Sequence, residues 1–109
     1  MKIKEFQEKA IKVVNNIDSI TGINHDKETT FMHLVEEFGE IARQLYNERS
    51  GRDKIDIENL KEEIADVYLL LAKLASFYKI DLEEAINKKI KILEKRHNTK
   101  FDLKKEVKW

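Results

Sequence analysis

The fold is decided by one stretch of the chain, Val67-Tyr68-Leu69-Leu70-Leu71-Ala72. It is apolar at every position, so a helix through it is apolar on all sides, and a helix of that kind is buried on all sides. In a chain of 109 residues, one partner helix cannot cover such a surface. We therefore place this third helix, about Ile57 to Tyr78, at the centre of a bundle or at a subunit interface, and a homodimer follows as a hypothesis.

Two helices are predicted before this stretch, because apolar residues recur there at spacings of three and four positions. The first runs from about Lys2 to about Ser19 and is broken by the segment 21–24. The second begins near Thr29 or Thr30, since either side chain could cap it, and stops near Ser50-Gly51. The polar stretch between the second and third helices is predicted to be a loop.

A fourth helix is predicted from about Leu82 to about His97, with Asp81 as its N-cap and Glu84 as the capping-box partner. Residues 98–109 are expected to form a short tail. The sequence has no internal repeat and no interdomain linker, so residues 1–109 are expected to form a single domain. The expected fold class is all-α, with a four-helix bundle-like protomer.

The composition excludes several functional classes. The 21 basic and 21 acidic residues cancel, so the chain lacks the positive field that binders of nucleic-acid polymers commonly carry. Without cysteine, only carboxylates and three histidines remain as metal ligands. The longest apolar run, 67–72, is far shorter than the roughly 20 residues that span a bilayer, and no secretory signal opens the chain. We expect a soluble cytoplasmic protein with no membrane partner.

Carboxylates in i,i+3 pairs occur five times, so this spacing alone does not identify a site. The pair Glu63 and Asp66 differs from the others because it shares one sector of the third helix with Leu70 and Leu74. These two acids should be partly buried, where an isolated ionised carboxylate is costly. They therefore need a cation or an altered pKa, and an ion pair between Asp66 and Lys73 is the structural alternative to a metal.

A second acidic pair, Glu37 and Glu40, lies on the second helix, in a polar stripe beside the apolar face. If the second and third helices pack antiparallel, the two pairs face one another. Their repulsion would then require divalent cations, and oxygen ligands at this density suit Mg²⁺, or Mn²⁺ as the alternative. The predicted ligands are Glu37, Glu40, Glu63 and Asp66.

Other interpretations stay open at this point. A di-iron centre takes Glu-x-x-His motifs from two helices, and only Glu94 and His97 fit, without a partner motif. The acids could also be ordinary surface charge on a non-enzymatic helical module that assembles through its apolar third helix. His25 and His33 are expected to lie on the surface or to support a ligand rather than to bind metal.

Two segments, Leu34–Ile41 and Asn59–Val67, together carry an E-E-x-x-E motif, a spacer and an E-x-x-D motif. Over about Leu34 to Arg96 the chain thereby resembles the MazG-type nucleotide pyrophosphohydrolases. These belong to the all-α NTP pyrophosphatase superfamily, together with dimeric dUTPases and phosphoribosyl-ATP pyrophosphohydrolases. The resemblance implies that fold type for the protomer, assembled as a homodimer or homotetramer.

The resemblance also implies an activity, the hydrolysis of a nucleoside triphosphate between its α and β phosphates to a monophosphate and pyrophosphate. It carries over the same four metal ligands and adds Glu36 as the residue that orients or deprotonates the attacking water. Lys89 and Arg96 correspond to phosphate contacts on the last helix. Leu93 departs from the family, since many members have asparagine there.

Overall fold

The computed structural model describes residues 2–109, which form four helices and no strand. This confirms the all-α fold class. The helices are α1 (Ile3–Thr21), α2 (Lys27–Arg49), α3 (Ile57–Ser76) and α4 (Leu82–Arg96). None of them has both the length and the apolarity that crossing a bilayer would require.

The helix ends follow local chemistry. The prediction that Thr29 or Thr30 caps α2 is wrong, because the Asp26 carboxylate accepts a hydrogen bond from the backbone N–H of Thr29 at 2.8 Å and the helix begins at Lys27. A carboxylate is favoured there by the orphan N–H groups and the positive end of the helix dipole. Asp81 caps α4 as predicted, accepting from the N–H of Glu84 at 3.1 Å.

Helix α3 packs between α1 and α2, so it is covered on two sides within one chain. The core between α2 and α3 is built from Leu34, Val67 and Leu70, with Ile41 and Leu74 packed against them. These apolar contacts fix how α2 faces α3, and they therefore set the positions of the acidic side chains on the two helices.

Helix α4 packs against α1 and contributes no buried residue. Its start is held by Gln7 of α1, whose side chain is only 6% exposed. The Gln7 Nε2 donates to the backbone carbonyl of Ile80 at 2.7 Å, and its Oε1 accepts from the N–H of Leu82 at 3.0 Å. A buried amide with both ends satisfied thus ties the first helix to the turn before the last.

The all-round burial expected for α3 is not reached within one chain. Val67 and Leu70 are buried, whereas Tyr68 is 57% exposed and Leu71 is 38% exposed. These two line an apolar groove of about 760 Å³ that extends to Ile86 of α4. The radius of gyration is 16.9 Å, against about 13 Å for a compact domain of this length. Because this side of α3 is not covered within one chain, its place at a subunit interface stays a prediction.

Candidate metal centre

Three carboxylates meet where α2 faces α3. Glu37, Glu63 and Asp66 each offer an oxygen atom, and these atoms all lie within 4.8 Å of one another. The Glu37 side chain is 13% exposed, and the Oε2 atom of Glu63 is buried without a hydrogen-bond partner. Asp66 lies at the open rim. The arrangement therefore has a dry inner end and a solvent-facing outer end.

The close approach of these acids raises two pKa values. The pKa of Glu63 lies above its ordinary value because its protonated carboxyl can donate a hydrogen bond to Glu37, because it is buried, and because Glu37 carries like charge. The pKa of Asp66 is also raised, by partial burial and then by the charge of Glu63, although His33 partly offsets these effects. Without a cation the site thus holds protons more tightly than isolated carboxyls would.

The donor set fits a hard divalent cation. It consists of carboxylate oxygens, which Mg²⁺ and Mn²⁺ prefer, and it contains one buried oxygen that lacks any partner. Buried polar atoms are nearly always satisfied, so an orphaned carboxylate oxygen beside two others is consistent with a ligand position. A bound ion would satisfy that oxygen and relieve the repulsion.

Two further predicted residues of α2 have different positions. Glu40 lies outside the three-carboxylate group; its side chain is 42% exposed, and its Oε1 lies 3.6 Å from Nη2 of Arg43. Its role as a ligand stays a prediction. Glu36 is exposed and belongs to a neighbouring group in which it lies within 4.8 Å of ligand atoms of His33 and Glu37. This position is compatible with the role predicted for Glu36.

Lys73 does not form the alternative ion pair with Asp66. Its Nζ donates to Oδ1 of Asn15 at 2.7 Å and lies 5.0 Å from the ring centroid of Phe77. An ion pair with Lys73 therefore does not account for the acidic pair on α3.

The candidate phosphate contacts Lys89 and Arg96 are both exposed on α4. Within residues 2–109, neither forms an ion pair with an acidic side chain. Their contact with phosphate stays a prediction. Glu94 of the di-iron alternative instead accepts a hydrogen bond from the N–H of Phe101 at 2.8 Å.

Sequence reasoning missed a chain of polar contacts that starts at Asp18 on α1 and leads to Glu37. His25, only 8% exposed, donates from its backbone N–H to Asp18 Oδ2 at 2.9 Å and from its ring Nδ1 to Asp18 Oδ1 at 2.6 Å. Its Nε2 lies 3.0 Å from Nδ1 of His33, and Nε2 of His33 lies 3.2 Å from Oε1 of Glu37. His25 is therefore not a surface residue.

Both oxygen atoms of the Asp18 carboxylate accept hydrogen bonds from His25. Burial acts to raise its pKa, but the hydrogen bonds from the backbone and ring of His25, with nearby positive charge, outweigh burial and lower the pKa below its ordinary value. No spacing rule signals this contact, because Asp18 ends one helix and His25 precedes the next. It depends on the turn at Gly22, whose φ of 75° is left-handed and suits glycine.

Comparison with known proteins identifies the family. The MazG nucleotide pyrophosphohydrolase domain matches residues 25–101, a range that includes all three clustered carboxylates. The chain belongs to the MazG family. Membership indicates nucleotide pyrophosphohydrolase activity in general, in a family that generally depends on divalent metal.

This MazG-type chain is also similar to a bacterial protein, the uncharacterized protein YpjD of Bacillus subtilis strain 168. The two are 35% identical over 78 residues, which cover 69% of this chain and 70% of YpjD. No solved structure was found to match the chain.

Proposed function

We propose that this MazG-type protein hydrolyses nucleoside triphosphates between the α and β phosphates, releasing a nucleoside monophosphate and pyrophosphate. Mg²⁺ is the proposed cofactor, with Mn²⁺ as the alternative. The observation that supports this most directly is the convergence of Glu37, Glu63 and Asp66, with their oxygen atoms within 4.8 Å of one another.

Different side chains of the site have different proposed roles in the reaction. The three clustered carboxylates would hold the ion, which when bound neutralises phosphate oxygens and lowers the pKa of a water molecule. Glu36, which is exposed beside Glu37, would orient the attacking water or accept its proton. Little covalent chemistry is asked of the protein, since phosphoryl transfer depends chiefly on positioning and charge.

Basic residues of α4 are the proposed phosphate contacts. Lys89 and Arg96 point their charges to solvent, and a guanidinium binds phosphate oxygens in a bidentate manner. The two residues belong to the same proposal as the metal ligands but can be tested separately, because they should affect the Michaelis constant for nucleotide more than the affinity for metal alone.

The proposed assembly is a homodimer or a dimer of dimers. The groove lined by Tyr68, Leu71 and Ile86 exposes apolar surface that a second copy would cover, and the radius of gyration shows that one chain alone is extended. Light scattering on the purified protein should give at least twice the 12.9 kDa chain mass. Leu71→Asp should shift this mass toward the monomer, whereas Ile20→Asp, at an exposed site on α1, should not.

The direct test incubates the protein with a panel of nucleoside triphosphates and diphosphates and Mg²⁺, and separately measures pyrophosphate and orthophosphate. We expect pyrophosphate from triphosphates, lost in Glu63→Gln and kept in Glu62→Gln, its exposed neighbour on α3. Equal turnover of dUTP and dUDP, or of phosphoribosyl-ATP alone, would instead assign the enzyme to another branch of the superfamily. No product with any divalent metal would indicate a non-enzymatic module that assembles through its apolar groove.

A further inference from the structure

The contacts that lead from Asp18 to Glu37 cross three segments of the chain. Asp18 lies near the end of α1, His25 in the connection to α2, and His33 and Glu37 one helical turn apart on α2. The contacts along this chain measure 2.6, 3.0 and 3.2 Å. The α1–α2 connection is thereby joined to the carboxylate that α2 contributes to the metal centre.

The first contact fixes the orientation of the His25 ring. An ionised carboxylate only accepts hydrogen bonds, so the ring N–H that meets Asp18 is at Nδ1. The second oxygen of Asp18 accepts from the backbone N–H of the same residue, which also fixes the ring's attachment point. Because only 8% of its surface is exposed, His25 has little freedom to leave this orientation.

The second and third contacts pass this constraint to Glu37. The rings of His25 and His33 stack with centroids 5.3 Å apart and planes 22° apart, and their facing nitrogens lie 3.0 Å apart. His33 is 38% exposed, so without His25 its ring would be free to turn toward solvent. Held in place, it keeps its Nε2 against Oε1 of Glu37.

We propose that Asp18 and His25 are positioning residues of the metal centre, acting through His33 to hold Glu37 in the orientation that binds a divalent cation. The proposal rests on the proposed function for the existence of that centre. Groups that orient a metal ligand commonly change metal affinity by roughly 10- to 100-fold when removed. Asp18 and His25 would supply this effect from outside the motifs that carry the acidic ligands.

The test measures Mn²⁺ binding to the protein of residues 1–109 without nucleotide, by electron paramagnetic resonance of the free ion. We expect His25→Leu and Asp18→Asn each to weaken Mn²⁺ binding roughly tenfold, as in other metal sites with a lost supporting group. His25→Gln should retain more affinity, because its side-chain amide can still form a hydrogen bond with Nδ1 of His33. His97→Leu, which removes an exposed histidine at the C-cap of α4, is the matched control and should bind as the wild type does.

A second measurement separates positioning from loss of folding. The short Nδ1–H bond to Asp18 should give a strongly downfield, slowly exchanging imidazole N–H resonance that Asp18→Asn abolishes while the helical circular dichroism is unchanged. The same variant should weaken Mn²⁺ binding much less in a Glu37→Gln background, because it acts through that carboxylate.

The outcomes distinguish the inference from the proposed function. Wild-type Mn²⁺ binding with unchanged affinity in folded His25→Leu and Asp18→Asn would overturn the positioning role alone. Absence of Mn²⁺ binding in the wild type would overturn the metal centre and the positioning role together. Weakened Mn²⁺ binding in these variants would support the inference even if no nucleotide were hydrolysed.

Discussion

Replacing Glu63 by glutamine should raise stability and remove activity at the same time. In the metal-free protein, Glu63 and Glu37 bear like charge on oxygen atoms within 4.8 Å of each other. Two like charges at that separation repel by about 3 kcal/mol at an effective dielectric constant of about 20, and by about 1 kcal/mol in bulk water. Because the outer end of the site is open to solvent, we expect Glu63→Gln to raise the free energy of unfolding by about 1 to 2 kcal/mol.

The effect of Glu63→Gln on the free energy of unfolding should depend on pH. A carboxyl whose pKa is raised in the folded state binds its proton more tightly there than in the unfolded chain. Wild-type stability should therefore fall as pH rises from the ordinary carboxyl value of 4.5 through the raised pKa of Glu63. The advantage of Glu63→Gln should appear only above that range, since a protonated glutamate and a glutamine have nearly the same shape.

The assay is urea unfolding followed by circular dichroism, in EDTA and again with excess Mg²⁺. A cation bound to the folded state stabilises it, by about 2.7 kcal/mol at 100 times the dissociation constant, so Mg²⁺ should stabilise the wild type and leave Glu63→Gln unchanged. Glu62→Gln, one residue away and exposed, should behave as the wild type. A destabilised Glu63→Gln in EDTA, or equal stabilisation of both proteins by Mg²⁺, would refute the reasoning about the site.

Three further perturbations test other parts of the structure. Leu70→Ala should lower the free energy of unfolding by about 2 to 5 kcal/mol in urea titrations, because Leu70 is 4% exposed in the core, while Ile20→Ala at 84% exposure should change little. Asp81→Ala should lower the free energy of unfolding by about 1 kcal/mol, because the cap on α4 is lost. Asp81→Asn should keep most of that stability, since asparagine can also cap a helix, and equal losses in the two variants would exclude capping. Because its pKa is lowered, ionised Asp18 stabilises the folded protein above its ordinary pKa, and this stabilisation is lost as pH falls through the lowered pKa. In Asp18→Asn the free energy of unfolding should therefore decline less steeply at acidic pH than in the wild type. An equally steep decline in both proteins would contradict this.

Elements with a strong local signal were predictable. The apolar stretch 67–72 and the three- and four-residue spacings gave four helices, because burial of an apolar face is what stabilises a helix in a protein. Asp81 followed from its capping box. The cap of α2 was misplaced because the two threonines and Asp26 are all competent caps, and choosing among them depends on where the preceding turn delivers the chain.

The candidate site was predictable only in part. The position of Glu63 and Asp66 beside core residues predicts both as site residues, and the structure brings Glu37 to them. Glu40 did not join them, since one turn further along α2 its carboxylate faces Arg43 and solvent. The link from Asp18 to His25 had no local signature, because it depends on how a left-handed turn folds one helix end over the start of the next.

The Gln7 amide has a consequence for how the chain can be divided. Its two hydrogen bonds join positions 73 and 75 residues apart, so they form only when α1 and the turn before α4 are both present. A fragment ending before Ile80 would lose both hydrogen bonds of this amide, at a cost of about 0.5 to 1.5 kcal/mol for each bond. Helix α1 is then weakened by a cut made far from it in sequence, and hydrogen exchange at the Leu82 N–H would report whether α1 and the start of α4 open together.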